Sequence, residues 1–528
     1  KARMMKRDPQ RSDWLAYKRL NRLRGAGLAL SSVANNRLAE LQEKYPRWSL
    51  DGSERDEFAI WSQTSAGSDP DTTDFSGLDI EKILPAIRES SAKARFDQGD
   101  TWRAYTKAEP DQAFAAIVAS FRQGNVQEVD EWRQLFWTLR EVKDNGPLQS
   151  EVANWLIDSD VGYLCQALEA VANWLQGTSG ELVSLDGNAK RVLLIWDKVA
   201  AQIPSARENP IEYHNDLMGA VLNSAAGVLP DLLIEQISRK GASKKELATF
   251  RKKLAEAITW PGEHGVVAQA SLLQRLPYLE TKFPTWVRRE LAPCLNIRDN
   301  YWLERWNARF YHQNPGSREL FARTKQAFLE TFEFTSEIAN HEFQTLILLN
   351  ASLTAIADKE WPLSPSEAKQ ALLRGGESSL ADVCWILRHR NTKSEASAHW
   401  REVVWPVLKF AWPLDEAARS KRVTNGLLQL IFESGSEFGV AANELRNFLT
   451  ADWGGQSWGI DDLLEGETLE NALKFPAALL DILIIIVDRE NPSTRLNLVL
   501  DKIAAAESGL AHKSSFKRLR GFARKAAS

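Results

Sequence analysis

Cysteine is scarce in this chain, with three residues among 528. Cys165, Cys294 and Cys384 lie far apart, and each is surrounded by apolar residues. Zinc sites use closely spaced pairs such as Cys-x-x-Cys, and disulfide-stabilised secreted domains use many cysteines. The pattern argues against both classes. It predicts three reduced, buried thiols and a cytoplasmic location.

Long apolar runs and a large excess of one charge are also missing. No stretch of about 18 apolar residues predicts a membrane span. The most apolar segment, Ala477–Val487, is short and interrupted by Asp481, which favours a buried helix. The net charge is −4 with 26% charged residues, so bulk charge gives no reason to expect binding to nucleic acid or to a membrane.

Recognisable catalytic motifs are absent from the sequence. It contains no G-x-x-x-x-G-K-[ST] phosphate loop, no H-E-x-x-H zinc motif and no G-x-S-x-G nucleophile elbow. Gly25-Ala26-Gly27-Leu28 follows a basic amphipathic segment instead of an apolar strand, so a helix C-cap is favoured over a dinucleotide-binding turn. We therefore assign no catalytic, cofactor-binding or metal-binding residue, and whether the chain is an enzyme stays open.

Tryptophan, by contrast, is abundant. Twenty tryptophans are spread almost evenly along the sequence, and one such side chain buries about 150–250 Å². Trp132, Trp155, Trp174 and Trp196 occupy the apolar faces of successive segments with helical spacing. We expect these four side chains to be mostly buried, in a core made by stacked helices.

Apolar residues recur at helical spacing along the chain. Residues 114–121 place Phe, Ile, Val and Phe at positions i, i+3, i+4 and i+7, one face of a helix. Residues 129–139 and 193–200 repeat the pattern. The word VANWL occurs at 152–156 and again at 171–175, a weak internal repeat. The sequence predicts an all-α fold, a HEAT-like stacked-helix array (an α-solenoid) in two or three sub-domains.

Polar segments set the predicted boundaries within this array. Gln63–Gly77, rich in Ser, Thr, Asp and Gly, is the clearest linker, and Gly177–Asn188 is a shorter predicted break. We therefore predict a basic helix and linker at 1–76, a helical repeat region at 77–300 and a C-terminal helical region at 301–528.

Both ends of the sequence are basic, as phosphate-binding clusters are. The candidate contact residues for nucleic acid or a protein partner are Arg19, Arg22, Arg24, Lys517, Arg518 and Arg520. Most charge runs of this kind are solvated faces or internal docking surfaces. Nucleic acid is therefore a partner that the sequence allows without favouring it, and no membrane contact is expected.

A series of short words gives a resemblance to a known family. They are Leu222–Leu229, Leu276–Leu279, Phe283–Trp286, Glu290–Pro293, Trp302–Leu303 with Trp306, Trp412–Asp415, Phe475–Asp481 and Phe516–Arg520. Their succession, over roughly Leu38 to Phe522, resembles the C-terminal helical region of bacterial defence-associated sirtuins, which are large anti-phage proteins. Similar helical regions follow NTPase modules in other bacterial defence proteins.

The resemblance implies a division of labour. In that family a sirtuin-like domain cleaves NAD⁺, while the helical region holds the enzyme silent and senses the phage. For this chain it implies a scaffold or sensor that regulates or assembles an effector. That effector would be an NAD-hydrolysing domain upstream of residue 1, so no cofactor is expected in this chain itself.

The protein partners that the resemblance implies are a phage protein, the effector domain or a second copy of the chain. No position matches the sirtuin catalytic histidine or NAD-binding turn, so no catalytic residue is transferred. Two alternatives stay open: a nucleic-acid-binding helical module of a defence complex, and the C-terminal sensor of a defence NTPase.

Overall fold

A computed structural model gives the fold of the chain. It describes residues 13, 16–18, 20–21, 24, 30–45, 75, 77–93, 101–124, 129–142, 145–160, 162, 164, 167–206, 210–214, 216–239, 241–390, 395–451, 453 and 458–527. Across these residues every regular element is a helix, and the one β-type pairing is a single bridge between Trp453 and Val487. The prediction of an all-α helical array is confirmed. The chain forms two compact units, Lys1–Ala108 and Glu109–Ser528.

The smaller unit has three helices with continuous bounds. They are α1 (Ser32–Lys44), α2 (Ile80–Lys93) and α3 (Thr101–Ala108). Leu38 and Leu41 of α1 are buried against Tyr17. Asp13 forms ion pairs with Arg37 (2.7 Å) and with Lys44 (2.8 Å). These contacts attach α1 to the segment before it.

Short connections join the helices of the larger unit. Its first half contains α4 (Pro110–Arg122), α5 (Val129–Glu141), α6 (Gly146–Asp158), α7 (Leu168–Asp186), α8 (Lys190–Ala200), α9 (Pro210–His214), α10 (Leu217–Asn223), α11 (Ala225–Ser238), α12 (Lys244–Ala257), α13 (Gly262–Leu273), α14 (Leu276–Lys282) and α15 (Pro284–Trp286). Its second half contains α16 (Trp302–Phe310), α17 (Arg318–Glu330), α18 (His341–Ala357), α19 (Pro365–His389), α20 (Ala396–His399), α21 (Trp405–Ala411), α22 (Lys421–Phe432), α23 (Phe438–Leu445), α24 (Trp458–Leu463), α25 (Gly466–Ala472), α26 (Pro476–Ile486), α27 (Leu496–Ala506) and α28 (Ser514–Ala527).

Each helix of the larger unit packs mainly against helices close to it in the sequence. Helix α5 packs on α7, α7 on α11, α11 on α13 and α13 on α16; further along, α18 packs on α19 and α19 on α22. Side-chain hydrogen bonds have a similar range, such as the one from Gln176 Nε2 to Glu235 Oε1, 59 residues later. Helices with one apolar face bury that face in this way by stacking on their neighbours.

The four tryptophans singled out in the sequence lie in this stack. Trp132, Trp174 and Trp196 are at most 1% exposed, which confirms the prediction for them. Trp155 is half-buried and stacks on Trp132, with ring centroids 5.0 Å apart. The Trp174 indole donates a hydrogen bond to Gln149 Oε1 (2.7 Å), so its burial leaves no polar atom unpaired.

The predicted break at Gly177–Asn188 is wrong for most of its length, because α7 continues to Asp186. A Cβ on Gly177 would lie 2.7 Å from Cγ of Arg140 on α5. This glycine therefore allows two helices to approach closely, and tertiary packing overrides its low helix propensity. The helix ends at Gly187, whose φ of 68° is that of a left-handed C-cap.

Two of the three thiols are buried and free, as predicted. Cys294 and Cys384 form no disulfide, and burial raises the pKa of both thiols above the usual range. A buried protonated thiol behaves as a small apolar side chain. Cys165 lies outside the described residues.

All of the apolar segment Ala477–Val487 except its last residue lies in helix α26, whose inner face is buried, as the sequence predicted. Across the described residues no single helix has the length and apolar character needed to cross a membrane. The pair α10 and α11, bent by 61° at its junction, meets the criterion only when its two helices are taken together.

Glu246 ties the start of α12 to two other segments. Its carboxylate accepts hydrogen bonds from Ser243 N and Oγ, both 2.8 Å. It also accepts from Arg239 Nη2 (3.1 Å) and from Ala189 N (3.3 Å). The hydrogen bond from the Ser243 main chain is the largest cause of the lowered pKa of Glu246. The carboxylate form is therefore the one that stabilises this junction.

We predict that Glu246→Gln lowers the free energy of unfolding by about 1 kcal/mol at pH 7, the usual cost of a weakened helix cap. A lowered pKa in the folded state stabilises the fold above the unfolded-state pKa, and this contribution disappears as the pH falls through the folded-state pKa. Urea denaturation of both proteins at pH 7 and at about pH 3, below the ordinary glutamate pKa, measures the difference. A difference of equal size at both pH values would contradict the prediction.

Candidate binding surface

An open pocket of about 740 Å³ lies where the loop between α16 and α17 meets α18. Its lining residues are Tyr311, His312, Gln313, Asn314, Pro315, Gly316, Asn350, Leu353, Thr354 and Trp361. The volume is in the range of small-molecule and side-chain pockets, about 300–1,000 Å³. The lining combines aromatic rings, amides and hydroxyls, and it includes no carboxylate.

The loop that forms one wall of the pocket is held from inside. Arg309, 4% exposed, donates from Nη1 to the His312 carbonyl (2.6 Å) and from Nη2 to the Asn314 carbonyl. The carbonyl between them, that of Gln313, accepts from Asn350 Nδ2 of α18 (2.8 Å). Three consecutive carbonyls are thus fixed by side chains of two helices, so the wall is preorganised.

Positive charge lies behind this wall. Burial lowers the pKa of Arg309 to about 10, which leaves the guanidinium protonated at neutral pH. Arg390 donates from Nη2 to Asn350 Oδ1, and its buried Nη1 has no hydrogen-bond partner in the described part of the chain. Burial, and then the charge of Arg309, lower the pKa of His312, so this imidazole is neutral at pH 7.

Aromatic side chains are exposed at the pocket and near the carboxyl end of α19. Tyr311 is 50% exposed at its rim. Trp361 stacks on Phe321, with centroids 5.4 Å apart. On α19, Trp385 is 54% exposed and stacks on His389, with centroids 4.4 Å apart. We define the recognition surface as the lining residues of the pocket together with Trp385, His389 and Arg390.

A chain reversal brings α19 to this surface. Gly376 interrupts α19 with φ 64° and ψ −152°, a conformation that glycine adopts without steric cost. After it, α19 runs parallel to α18, because His341 contacts Asp382 and Asn350 contacts Arg390, pairs separated by 41 and 40 residues. The reversal therefore places the carboxyl end of α19 beside the pocket.

The His341–Asp382 pair is the most chemically distinctive contact of this region. Nδ1 of His341 lies 2.6 Å from Asp382 Oδ2. Burial raises the pKa of Asp382, and the hydrogen bond with His341 opposes that shift. The pair connects α18 to α19, and we assign it a structural role. No group of three or more His, Cys, Asp or Glu side chains is arranged as a metal site in the part of the chain that the structure describes.

The basic residues predicted near the start of the chain are only partly described. Arg19 and Arg22 lie outside the described residues. Arg24 is exposed and donates from Nη2 to Asn21 Oδ1 (2.9 Å). Its charged group is therefore exposed to solvent, and this hydrogen bond joins it to a residue only three positions earlier.

The basic residues predicted near the end lie on α28. Arg520 bonds to Asp501 and to Asn497 Oδ1 (3.1 Å) of α27, so its charge is used within the fold. Lys517 and Arg518 are exposed. We define the basic stripe as the exposed residues Lys513, Lys517 and Arg524. Lys513 directly precedes α28, and the seven-residue spacing of Lys517 and Arg524 places those two on one face of the helix.

The recognition surface was not predicted from the sequence. Asn314-Pro315-Gly316 is a recognisable turn signal, and a Trp four residues before a His, as at 385 and 389, predicts a stacked pair on a helix. Neither signal identifies a pocket without the fold.

Comparison with known proteins adds no relative: the chain matches no protein-family model, no curated protein and no solved structure. The recognition surface and the basic stripe are therefore the features that bear on function.

Proposed function

We propose that this chain is the helical scaffold and sensor region of a cytoplasmic bacterial anti-phage defence protein, and that it regulates or assembles an effector. The observation that carries the proposal is a preorganised pocket lined by the half-exposed Tyr311, together with the half-exposed Trp385 near the carboxyl end of α19. The resemblance of the sequence words to defence-associated sirtuins supports the biological setting.

Exposed aromatic and arginine side chains are what protein partners use as anchors. Trp, Tyr and Arg dominate the residues that carry most binding energy at interfaces. Tyr311 belongs to a loop fixed by Arg309 and Asn350, and Trp385 is braced by His389. Little conformational entropy is lost when such rigid groups bind.

The effector in this proposal is an NAD-hydrolysing sirtuin-like domain upstream of residue 1, which would hold the cofactor NAD. The protein partner is a phage protein, the effector domain or another copy of the chain. The alternative effector is a defence NTPase, for which this chain would serve as the C-terminal sensor.

A phage-challenge assay tests the proposal. The gene that encodes this chain, with its upstream sequence, is expressed in a bacterial host that is infected with a phage panel, and plaque counts and cellular NAD⁺ are measured. Trp385→Ala and Tyr311→Ser should abolish protection while changing stability by no more than about 0.5 kcal/mol, because both residues are exposed. Leu414→Ser is the matched control, since Leu414 is 74% exposed and lies outside the recognition surface. Full protection by both surface variants would contradict the proposal.

The basic stripe supports the second candidate, a nucleic-acid-binding module. Lys517 and Arg524 on one face of α28, with Lys513 directly before the helix, suit a phosphate backbone. Each phosphate contact adds about −0.9 to the slope of log K against log salt. Binding of labelled duplex DNA at several salt concentrations would then show a slope near −2.7, about three phosphate contacts, and substitution of all three by Gln would abolish it. Our primary proposal predicts no such stripe-dependent binding.

A further inference from the structure

Basic residues cluster around helix α12. The segment 239–253 contains seven basic residues and one acidic residue, Glu246, in a chain whose net charge is −4. Four of these cations are exposed on the helix and define the α12 basic face: Lys244, Lys245, Arg251 and Lys252. We propose that the α12 basic face binds the phosphate backbone of double-stranded nucleic acid. This inference goes beyond the proposed function, because it concerns another surface and another class of partner.

Contacts with α8 determine which side of α12 faces solvent. Glu246 accepts a hydrogen bond from Ala189 N (3.3 Å), and Lys253, seven residues later, forms an ion pair with Asp197 of α8. Seven residues are close to two helical turns, so one face of α12 lies along α8. Phe250, on the adjoining part of the helix, is fully buried. The α12 basic face occupies the opposite, exposed side.

Helical spacing arranges the four cations in two rows. Lys244 and Arg251 are seven residues apart, and so are Lys245 and Lys252. The members of each row are therefore about 10 Å apart along the helix, at a rise of about 1.5 Å per residue. The exposed Ala248 lies between the rows. Four like charges thus share a small patch on a helix that packing holds in place.

The α12 basic face has no carboxylate of its own. Glu246 forms an ion pair with Arg239 (3.1 Å), and Asp197 forms one with Lys253. Glu256, near the end of α12, is exposed. Within the residues that the structure describes, none of the four cations of the face forms an ion pair with these or other carboxylates. Their positive charge is left for an anionic ligand to balance.

Two of these cations lie where the helix itself disfavours them. Lys244 and Lys245 are the first two residues of α12. The amino-terminal end of a helix carries partial positive charge, so a cation there is unfavourable and an anion is favourable. The position of the two lysines therefore costs stability in the free helix. A bound phosphate would offset this repulsion, because the same end of the helix attracts anions.

The side chains around the cations favour nucleic acid over a protein or a membrane. Protein interfaces are depleted of lysine and use aromatic anchors, whereas Ala248 is what lies between the rows of this face. Helices that bind membranes insert their apolar face among the lipids. The apolar face of α12, which includes Phe250 and Leu254, is buried in the fold and cannot be inserted.

The same side chains favour a duplex over a single strand. Proteins that bind single strands stack the bases on aromatic rings, and the one aromatic residue of α12 is the buried Phe250. Lysine and arginine alone are sufficient to bind the phosphates of a duplex, and such contacts carry no sequence information. We therefore expect binding of duplexes without sequence preference.

Binding of a short labelled DNA duplex to the full chain, measured by fluorescence anisotropy, tests this inference. Each phosphate contact adds about −0.9 to the slope of log K against log salt, so four contacts contribute about −3.6. We therefore expect the affinity to fall by about a hundredfold between about 50 and 200 mM salt. A duplex of unrelated sequence should bind equally well.

Variants locate the binding site. Substitution of all four residues of the α12 basic face by Gln should remove about 3.6 from the magnitude of the slope, and Lys252→Gln alone should remove about 0.9. Substitution of the three lysines by Arg should preserve binding, since the charge is retained. Far-UV circular dichroism of each variant verifies folding.

The matched control removes the same charge from scattered positions. Three exposed lysines and one exposed arginine are substituted by Gln: Arg323, Lys359, Lys409 and Lys474. The net charge changes by the same amount as in the fourfold variant of α12. This control should retain the salt dependence of the wild type, because its charges do not lie together on one helix.

Duplex RNA presents the same phosphates, so binding of either duplex supports the inference, and their relative affinity identifies the source. Four results would overturn it: undiminished duplex binding by the folded fourfold variant, an equal loss in the matched control, tighter binding of single strands, or binding of phosphatidylserine vesicles or polyglutamate through the α12 basic face without duplex binding. Duplex binding that is abolished by substitution of the basic stripe and unchanged by substitution of α12 would also overturn it, and would support the second candidate function.

Discussion

Trp174→Ala is expected to lower the free energy of unfolding by about 3–5 kcal/mol, the range for removing a buried aromatic side chain. Trp174 is fully buried in α7. It contacts the ring of Phe136, with centroids 5.8 Å apart, and donates to Gln149 Oε1. The substitution leaves a cavity, and the buried Gln149 Oε1 loses the indole that donates a hydrogen bond to it. Urea denaturation followed by circular dichroism measures the loss.

Trp385→Ala provides the control for this prediction. The same atoms are removed, but Trp385 is 54% exposed, so we expect a change of no more than about 0.5 kcal/mol. Similar losses for the two variants would show that the burial of Trp174 is not what stabilises α7 against its neighbours.

Gly227→Ala is expected to destabilise the fold by about 3 kcal/mol, the upper end of the usual range for overpacking. Gly227 lies in the first turn of α11, and an added Cβ would overlap the main-chain oxygen of Val221 in α10. Its own carbonyl accepts a hydrogen bond from Ser271 of α13 (3.1 Å). The methyl group therefore has to displace backbone where three helices meet.

Gly180→Ala is the matched substitution with the opposite expected sign. Gly180 lies within α7, and no atom lies within 4 Å of a Cβ added there. Alanine is the better helix former by about 1 kcal/mol, so this variant should be more stable than the wild type. Thermal denaturation of both variants compares them directly. A Gly227→Ala protein as stable as the wild type would contradict the close contact with Val221.

Helical periodicity was enough to predict the fold class, because each helix carries its own apolar face. Residues 114–121 form part of α4, and the burial of Trp132 and Trp196 followed from the same spacing. The prediction of a break at Gly177 was wrong, because a glycine in a helical sequence pattern can have either of two structural causes. One is a turn and the other is a neighbouring helix, here at Arg140, and only the second depends on contacts distant in sequence.

The recognition surface was beyond the reach of sequence reasoning for the same physical reason. Its pocket joins a loop after α16, one face of α18 and the segment before α19. Arg390 contributes only because Gly376 reverses the chain, which no local pattern reveals. His341 is next to Glu342 in the sequence, yet its hydrogen-bond partner is Asp382, 41 residues away.

In the larger unit each helix packs mainly on helices close to it in the sequence, so its stability depends mainly on local terms. In such a stack the stability is a sum of the terms of single helices and of the interfaces between adjacent ones, so the ends can unfold while the middle stays intact. A perturbation at α7 should therefore be felt by α5 and α11 and hardly at α28. Conversely, a partner that spans α16 to α19 would bridge several of these interfaces at once. By mass action, binding of such a partner would protect the central helices from local opening. The amide hydrogens of these helices would then exchange more slowly in its presence.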